Sequence, residues 1–233
     1  MKALILDGSH LTLTDLYAVV YDRRPVELSA EALKRATAAR QVLFDMAARG
    51  EPVYGLNHGV GWNKDKEFDR DFFEEYNHNL INSHSLGIQP YCPVEMVRAM
   101  LCIRLNTALC GCTGISPAIL SLYEAFLNRG IHPRVPARGS IGEGDISTLS
   151  LIGQTVLGCG EVEYHGRIIP AGEALSAENI TPAVLGPKDG LSIVSSNAQG
   201  EAMAAVLIRE VQDILHIANA VFCLSLEGLN GGV

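Results

Sequence analysis

The chain has 233 residues, of which 48% are hydrophobic and 19% charged, and its formal net charge is -8. Length and apolarity together are enough for a buried core, which excludes a disordered chain, and the negative balance leaves no basic patch for nucleic acid or an anionic membrane. The six cysteines include no Cys-x-x-Cys pair and no His cluster beside them, so no zinc or other metal set is expected, and they read as reduced thiols packed mostly in helices.

In chain order the pattern is helix after helix. Leu4 to Leu6 suits a short strand, and Thr14 stands ahead of Asp15-Leu16-Tyr17-Ala18-Val19-Val20 as the cap of a first helix. Ser29 caps a second helix that runs to about Ala48, where Arg49-Gly50 ends it. Further short, amphipathic helices are expected from Asp69 to about Ser83, from Pro93 to about Leu109 and from Ser116 to about Asn128, the last with Pro117 in its first turn. Glu161 to Ile169 alternates around His165-Gly166 and predicts a β-hairpin, a surface ornament on a helical body. No stretch reaches membrane-spanning length and the opening apolar run is too short for a signal peptide, so a cytoplasmic protein is expected.

The last segment differs in kind. From about Asn197 to Leu226 there is no proline and a single glycine, Gly200. Val206, Ile208, Val211, Ile214, Leu215, Val221 and Phe222 make most sides apolar, while Arg209, Asp213 and His216 keep one polar stripe. Such a helix belongs inside a bundle, and the chain supplies too few neighbours for it before Asn230-Gly231-Gly232-Val233. Another polypeptide is expected to cover the remainder.

Several motifs follow one another in an order that points to a family. They are Tyr54-Gly55-Leu56-Asn57-His58-Gly59-Val60-Gly61, then Asn79-Leu80-Ile81-Asn82-Ser83-His84-Ser85-Leu86-Gly87, and Gly111-Cys112-Thr113-Gly114. Gly139-Ser140-Ile141-Gly142-Glu143-Gly144-Asp145, the Gly160-Glu161 hairpin and Lys188-Asp189-Gly190-Leu191-Ser192 complete the set. Together they resemble the N-terminal half of the histidine and aromatic amino acid ammonia-lyase family. That resemblance implies a mainly α fold, a long-helix bundle of the fumarase/ammonia-lyase type with a small N-terminal part and a short β-hairpin. It divides the chain into residues 1–190, a lyase domain carrying the catalytic loops, and residues 191–233, the start of the central bundle. It also implies a tetramer with shared active sites, or a hetero-octamer if a second polypeptide carries the C-terminal half.

The departures from the family pattern bear on chemistry. The family cyclises a Gly-Ala-Ser-Gly-Asp loop into a methylidene-imidazolone electrophile; here Glu143-Gly144 replaces Ala-Ser-Gly, so no hydroxyl can be dehydrated and the prosthetic group is expected to be absent. His58 replaces a threonine, and Ser195-Ser196-Asn197 replaces Asn-Gly-Thr. Without covalent activation, ammonia is too poor a leaving group. A quaternary trimethylammonium, as in a histidine betaine such as ergothioneine, departs as a neutral amine and needs only a base, a carboxylate contact and a cation contact.

Under this reading Tyr54 is the base, or else a structural aromatic in a turn. Glu143 holds the substrate cation or acts as a base, or else faces solvent or caps a helix. Gly142, Gly144 and Asp145 make up the equivalent of the electrophile loop, with Asp145 as the N-cap of a helix from Ile146 to Leu157. His84 contacts an imidazole or carboxylate, or orients the Tyr54 loop. Asn57 and His58 read the polar end of the substrate, or bond within their loop. Ser195 and Asn197 open the central helix, where an anion is favoured, or simply cap it. The function expected is amine elimination from a histidine-like or aromatic amino-acid derivative by a carbon–nitrogen lyase. The alternatives are proton-transfer chemistry of the isomerase or hydratase kind on an unsaturated acid, and a non-catalytic partner subunit of a split lyase.

Overall fold

The computed structural model describes residues 1–68, 72–142 and 144–231. Among them the helices are α1 (Leu13–Val20), α2 (Ala30–Ala48), α3 (Phe73–His84), α4 (Val94–Ala108), α5 (Pro117–Arg129), α6 (Ile146–Val156), α7 (Ala171–Ala177), α8 (Asp189–Val194) and α9 (Ala198–Gly228). Seven short strands accompany them: β1 (Leu4–Leu6), β2 (Val26–Leu28), β3 (Ile88–Tyr91), β4 (Ile131–Pro133), β5 (Pro136–Arg138), β6 (Glu161–Tyr164) and β7 (Arg167–Pro170). The fold is mainly α, as expected.

Local signals placed most helix ends. Ser29 lends its side chain to the Ala32 N–H at the start of α2, and Gly50, at φ +78°, follows its last turn. Pro117 opens α5, where a missing N–H costs nothing. The first helix begins two residues earlier than expected: Thr12, extended at φ -92° and ψ 162°, accepts the Asp15 N–H at 3.1 Å, and Thr14 is already helical. The expected start of α3 at Asp69 lies outside the described residues, and the helix is seen from Phe73.

Helix α4 is buried on nearly every side instead of amphipathic, because α1, α5 and α9 all pack against it. Two arginines share that burial. The Arg98 guanidinium donates to Val19 O at 3.1 and 2.7 Å and to Leu127 O at 2.9 Å, so one cation ends the last turns of both α1 and α5. Arg104 donates to Ser192 O and so joins α4 to α8.

The hairpin is not an ornament. Strand β6 pairs antiparallel with β7 on one side and β4 on the other, which buries Val162 and half of Glu163 in a three-stranded sheet. His165 and Gly166, both at positive φ, make its turn. The thiols also differ from expectation: Cys102 is buried in α4 and Cys92 half-buried, whereas Cys110, Cys112, Cys159 and Cys223 are exposed, all of them free. Local glycine turns and loops, not helix faces, carry three of those four.

Residue 190 falls within α8, whose Asp189 is anchored from two directions. It accepts Arg40 Nη1 at 2.8 Å and the N–H groups of Ser116 and Gly186 at 2.9 Å each, tying α2 and the start of α5 to α8. Beyond α8 only the first turns of α9 are buried, at Ala198, Gln199, Ala202 and Ala205. From Leu207 through Ile214 and Phe222 to Leu224 its large apolar side chains are exposed. No helix among the described residues is long and apolar enough to cross a membrane.

Two buried acids in the α4–α5 core make stability depend on alkaline pH. Burial pushes the Cys102 thiol up to about 12 and the Tyr123 phenol up to about 12, while nearby Arg98 and Arg104 pull the other way. Both groups stay neutral in the native state while the unfolded chain releases their protons near the ordinary values of about 8.5 and 10, so native stability falls as pH rises above about 8.5. The urea midpoint should therefore drop between pH 8.5 and 10, and Cys102→Ala should flatten that drop. A pH dependence identical in the variant would contradict this assignment.

Candidate functional site

One face of α3 lines a cleft of about 460 Å³. Tyr76, Asn79, Leu80 and Ser83, spaced i, i+3, i+4 and i+7, and the adjacent His84 all border it. Tyr54, Val60, Gly61, Trp62 and Asn63 form a second wall. Ile146, Leu191 and Val194 close the floor. The cleft thus brings Tyr54 and His84 together, and Ile146 and Val194 place the Gly139–Asp145 loop and the α8–α9 junction at its edge.

The Tyr54 loop is held by its own polar groups. Asn57 Oδ1 accepts the Val53 N–H at 2.7 Å, Asn57 Nδ2 donates to Glu51 O at 3.0 Å, and His58 Nδ1 lies 3.3 Å from Asn57 Oδ1. Asn57 and His58 are therefore engaged within the loop, and Asn57 borders a different space. That second cleft, about 740 Å³, is lined by Phe44, Asp45, Leu56, Asn57, Phe68 and Phe73. It is the larger of the two, but it contains neither Tyr54 nor His84, so the smaller cleft is the chemical candidate.

Packing and two further bonds set Tyr54 itself. Gly55, at φ +70°, lies so close to α8 that an added Cβ would meet Leu191 Cδ2 at 2.4 Å, so only glycine permits this approach. Lys188 Nζ donates to Tyr54 O at 2.7 Å, and burial draws the Lys188 ammonium below its usual range. The Gly61 N–H donates to the Tyr54 hydroxyl at 2.7 Å, leaving the half-exposed ring with its oxygen at the cleft wall. At the end of α3, His84 Nδ1 lies 2.8 Å from Leu80 O; a carbonyl can only accept, so Nδ1 carries the proton and Nε2 is left as an acceptor.

Asp145 does not cap α6 with its side chain. Its carboxylate reaches across to α9, where Oδ2 accepts the N–H groups of Gln199 at 2.8 Å and Gly200 at 3.0 Å. Its own N–H donates to Ser196 O at 2.8 Å, and Thr148 Oγ1, which also donates to Gln199 Oε1 at 2.7 Å, completes the joint. The anion at the start of α9 is thus supplied by the chain, and the amides expected to draw a substrate anion there are already occupied. Ser195 and Asn197 are exposed beside this joint, and neither side chain caps α9. Gly144 is buried, with Asn197 Oδ1 3.9 Å from where its Cβ would be, while Gly142 is exposed at φ +86°. Glu143 lies outside the described residues.

Among the described residues, no group of three or more His, Cys, Asp or Glu is arranged to hold a metal ion. Between Gly142 and Asp145 the sequence has only Glu143 and Gly144, neither of which carries a hydroxyl. Tyr76, Trp62 and Ser83, which line the cleft, and Lys188, which bonds the Tyr54 carbonyl, were not singled out from sequence. For Tyr76 and Ser83 the i, i+3, i+4, i+7 stripe was the available signal, Ser83 and Lys188 also stand in motifs noted in the sequence, and for Trp62 there was no signal.

The family model for aromatic amino acid lyases matches residues 11–233. Histidine ammonia-lyase of Geobacillus thermodenitrificans is 34% identical over 229 residues, covering 98% of this chain and 45% of that protein. Ergothionase, an ergothioneine-degrading enzyme from Treponema denticola whose structure contains desmethyl-ergothioneine sulfonic acid, is 59% identical with a TM-score of 0.96 over 98% of this chain and 46% of its own. Histidine ammonia-lyase from Trypanosoma cruzi has a TM-score of 0.90 at 30% identity, over 98% of this chain and 44% of its own. The chain spans about half the length of these relatives.

The joint between α6 and α9 is open to direct test. Asp145→Ala leaves the buried Gln199 N–H and the part-buried Gly200 N–H without a charged acceptor and should cost on the order of 2 kcal/mol in urea unfolding, with Asp145→Asn recovering part of it. Unchanged stability in Asp145→Ala would remove the carboxylate from this role.

Proposed function

We propose that this chain, which belongs to the aromatic amino acid lyase family, forms part of a carbon–nitrogen lyase that acts without a methylidene-imidazolone. Its substrate would be a histidine-like amino-acid derivative that already carries a good leaving group, a trimethylammonium betaine of the ergothioneine kind. The observation that carries this reading is the cleft itself: Tyr54 and His84 face one space, and the loop leading to its edge has no hydroxyl between Gly142 and Asp145. The likeness to ergothionase supports the same substrate class.

The chemistry then follows from the residues. Tyr54, as its phenolate, takes the proton from the β-carbon, the C–H electron pair becomes the new C=C bond, and the C–N pair leaves with nitrogen as neutral trimethylamine. No step requires an electrophile, because the nitrogen departs without first being activated. The Gly61 N–H, fixed at 2.7 Å, holds the phenol oxygen in place, and His84 offers Nε2 to an N–H of the substrate ring. In this proposal Glu143, between Gly142 and Gly144 in sequence, carries the charge that meets the substrate cation. Ser195 and Asn197 contact the substrate by side chain, since the α9 amides are taken. Asn57 and His58 act on it through the shape of their loop.

The exposed apolar length of α9 supports completion of the site by other subunits, or by a polypeptide equivalent to the other half of the relatives, in a tetramer or hetero-octamer. The test therefore uses the protein with that part present. Incubated with ergothioneine, it should release trimethylamine and form an ultraviolet-absorbing alkene, and Tyr54→Phe should lower the rate at least about 100-fold. Intact mass should equal that of the sequence, with no water lost from the Gly139–Asp145 loop. Such a loss would overturn the electrophile-free reading. An absorbance change without free amine would favour proton-transfer chemistry, and no turnover of any kind would favour a non-catalytic subunit.

A further inference from the structure

The Tyr54 loop is also bonded to a second tyrosine. Val60 N–H donates to the Tyr76 hydroxyl at 3.0 Å and the next amide, Gly61 N–H, donates to the Tyr54 hydroxyl at 2.7 Å. Two phenol oxygens on the cleft wall are thus fixed by one dipeptide. Tyr76 is the firmer of the two. Its ring lies 4.5 Å from that of Phe68 and 6.2 Å from that of Phe72, centre to centre, and its backbone belongs to α3. Tyr54, by contrast, is 47% exposed, and Trp62 beyond it is 99% exposed, so the burial of Val53 and Leu56 anchors the start of the loop but does little to fix the Tyr54 ring itself. Burial raises the Tyr76 phenol above its usual range, which keeps it a neutral acceptor at working pH.

We propose that Tyr76 is a positioning residue for the reaction, acting through Val60 and Gly61 to hold the Tyr54 oxygen against the substrate. This rests on the assignment of Tyr54 as base. Rigid α3 transmits its position to the loop by one hydrogen bond and one aromatic cluster. Substrate contacts made elsewhere in the cleft are unaffected, so the effect falls on turnover and not on binding.

Tyr76→Phe keeps the ring cluster and removes only the acceptor. In the complete protein it should lower kcat for trimethylamine release about tenfold while KM stays within about twofold. In a Tyr54→Phe background the same change should have little further effect, since its target oxygen is gone, whereas a merely structural role would reduce the residual rate by the same factor in both backgrounds. If the Tyr54→Phe residual rate is too low to measure, the kcat and KM split of the single variant decides. Unchanged kcat in Tyr76→Phe, a loss confined to KM, or equal losses in both backgrounds would overturn the proposal. Full activity in Tyr54→Phe would instead overturn the assignment of the base.

Discussion

The Asp145 carboxylate at the start of α9 is the joint on which the site depends. A single side chain, almost wholly buried, satisfies two amides of a 31-residue helix, the buried one of Gln199 and the part-buried one of Gly200. Because Asp145 is also the residue from which α6 starts, both helices begin at one point in space. Asp145 is fixed at that point, and Ile146 and Val194 beside it border the cleft. The same carboxylate occupies the Gln199 and Gly200 amides that open α9.

Around this joint the chain uses polar groups in place of hydrophobic burial wherever chemistry is expected. The Arg40–Asp189 pair and Arg104 hold α8 to the helices behind it, so that Leu191 can press against Gly55. Asn57 closes its own loop, and Lys188 ties the Tyr54 carbonyl to the start of α8. Loops built this way have a defined shape with few apolar contacts, which suits a wall that must admit a ligand. The core proper lies elsewhere, around α4, whose two buried arginines serve neighbouring helix ends.

Much of this organisation was legible from residues alone. Ser29, Gly50 and Pro117 act on the turn in which they stand, so their helices were placed within a residue or two. The first cap was misread because two threonines compete within one turn, and only the backbone shows that Thr12 is the extended one. The third strand beside the hairpin was invisible: β4 is three residues long and about 30 residues away, too short for any alternation to register. Helix α4 was expected to be amphipathic, yet its Arg98 and Arg104 are buried and each donates to carbonyls of packed neighbours.

The sequence by itself determined the family, the helical architecture and the missing hydroxyl of the electrophile loop, because these depend on residue identity and order. It also indicated that α9 has more apolar surface than this chain can cover. Only the tertiary structure decided that Asp145 serves α9, 54 residues further on, that Asn57 turns away from the Tyr54 cleft, and that Tyr76 shares a dipeptide with Tyr54. Each of these is a hydrogen bond that the fold brings within reach, and its direction is set by packing that no local pattern encodes.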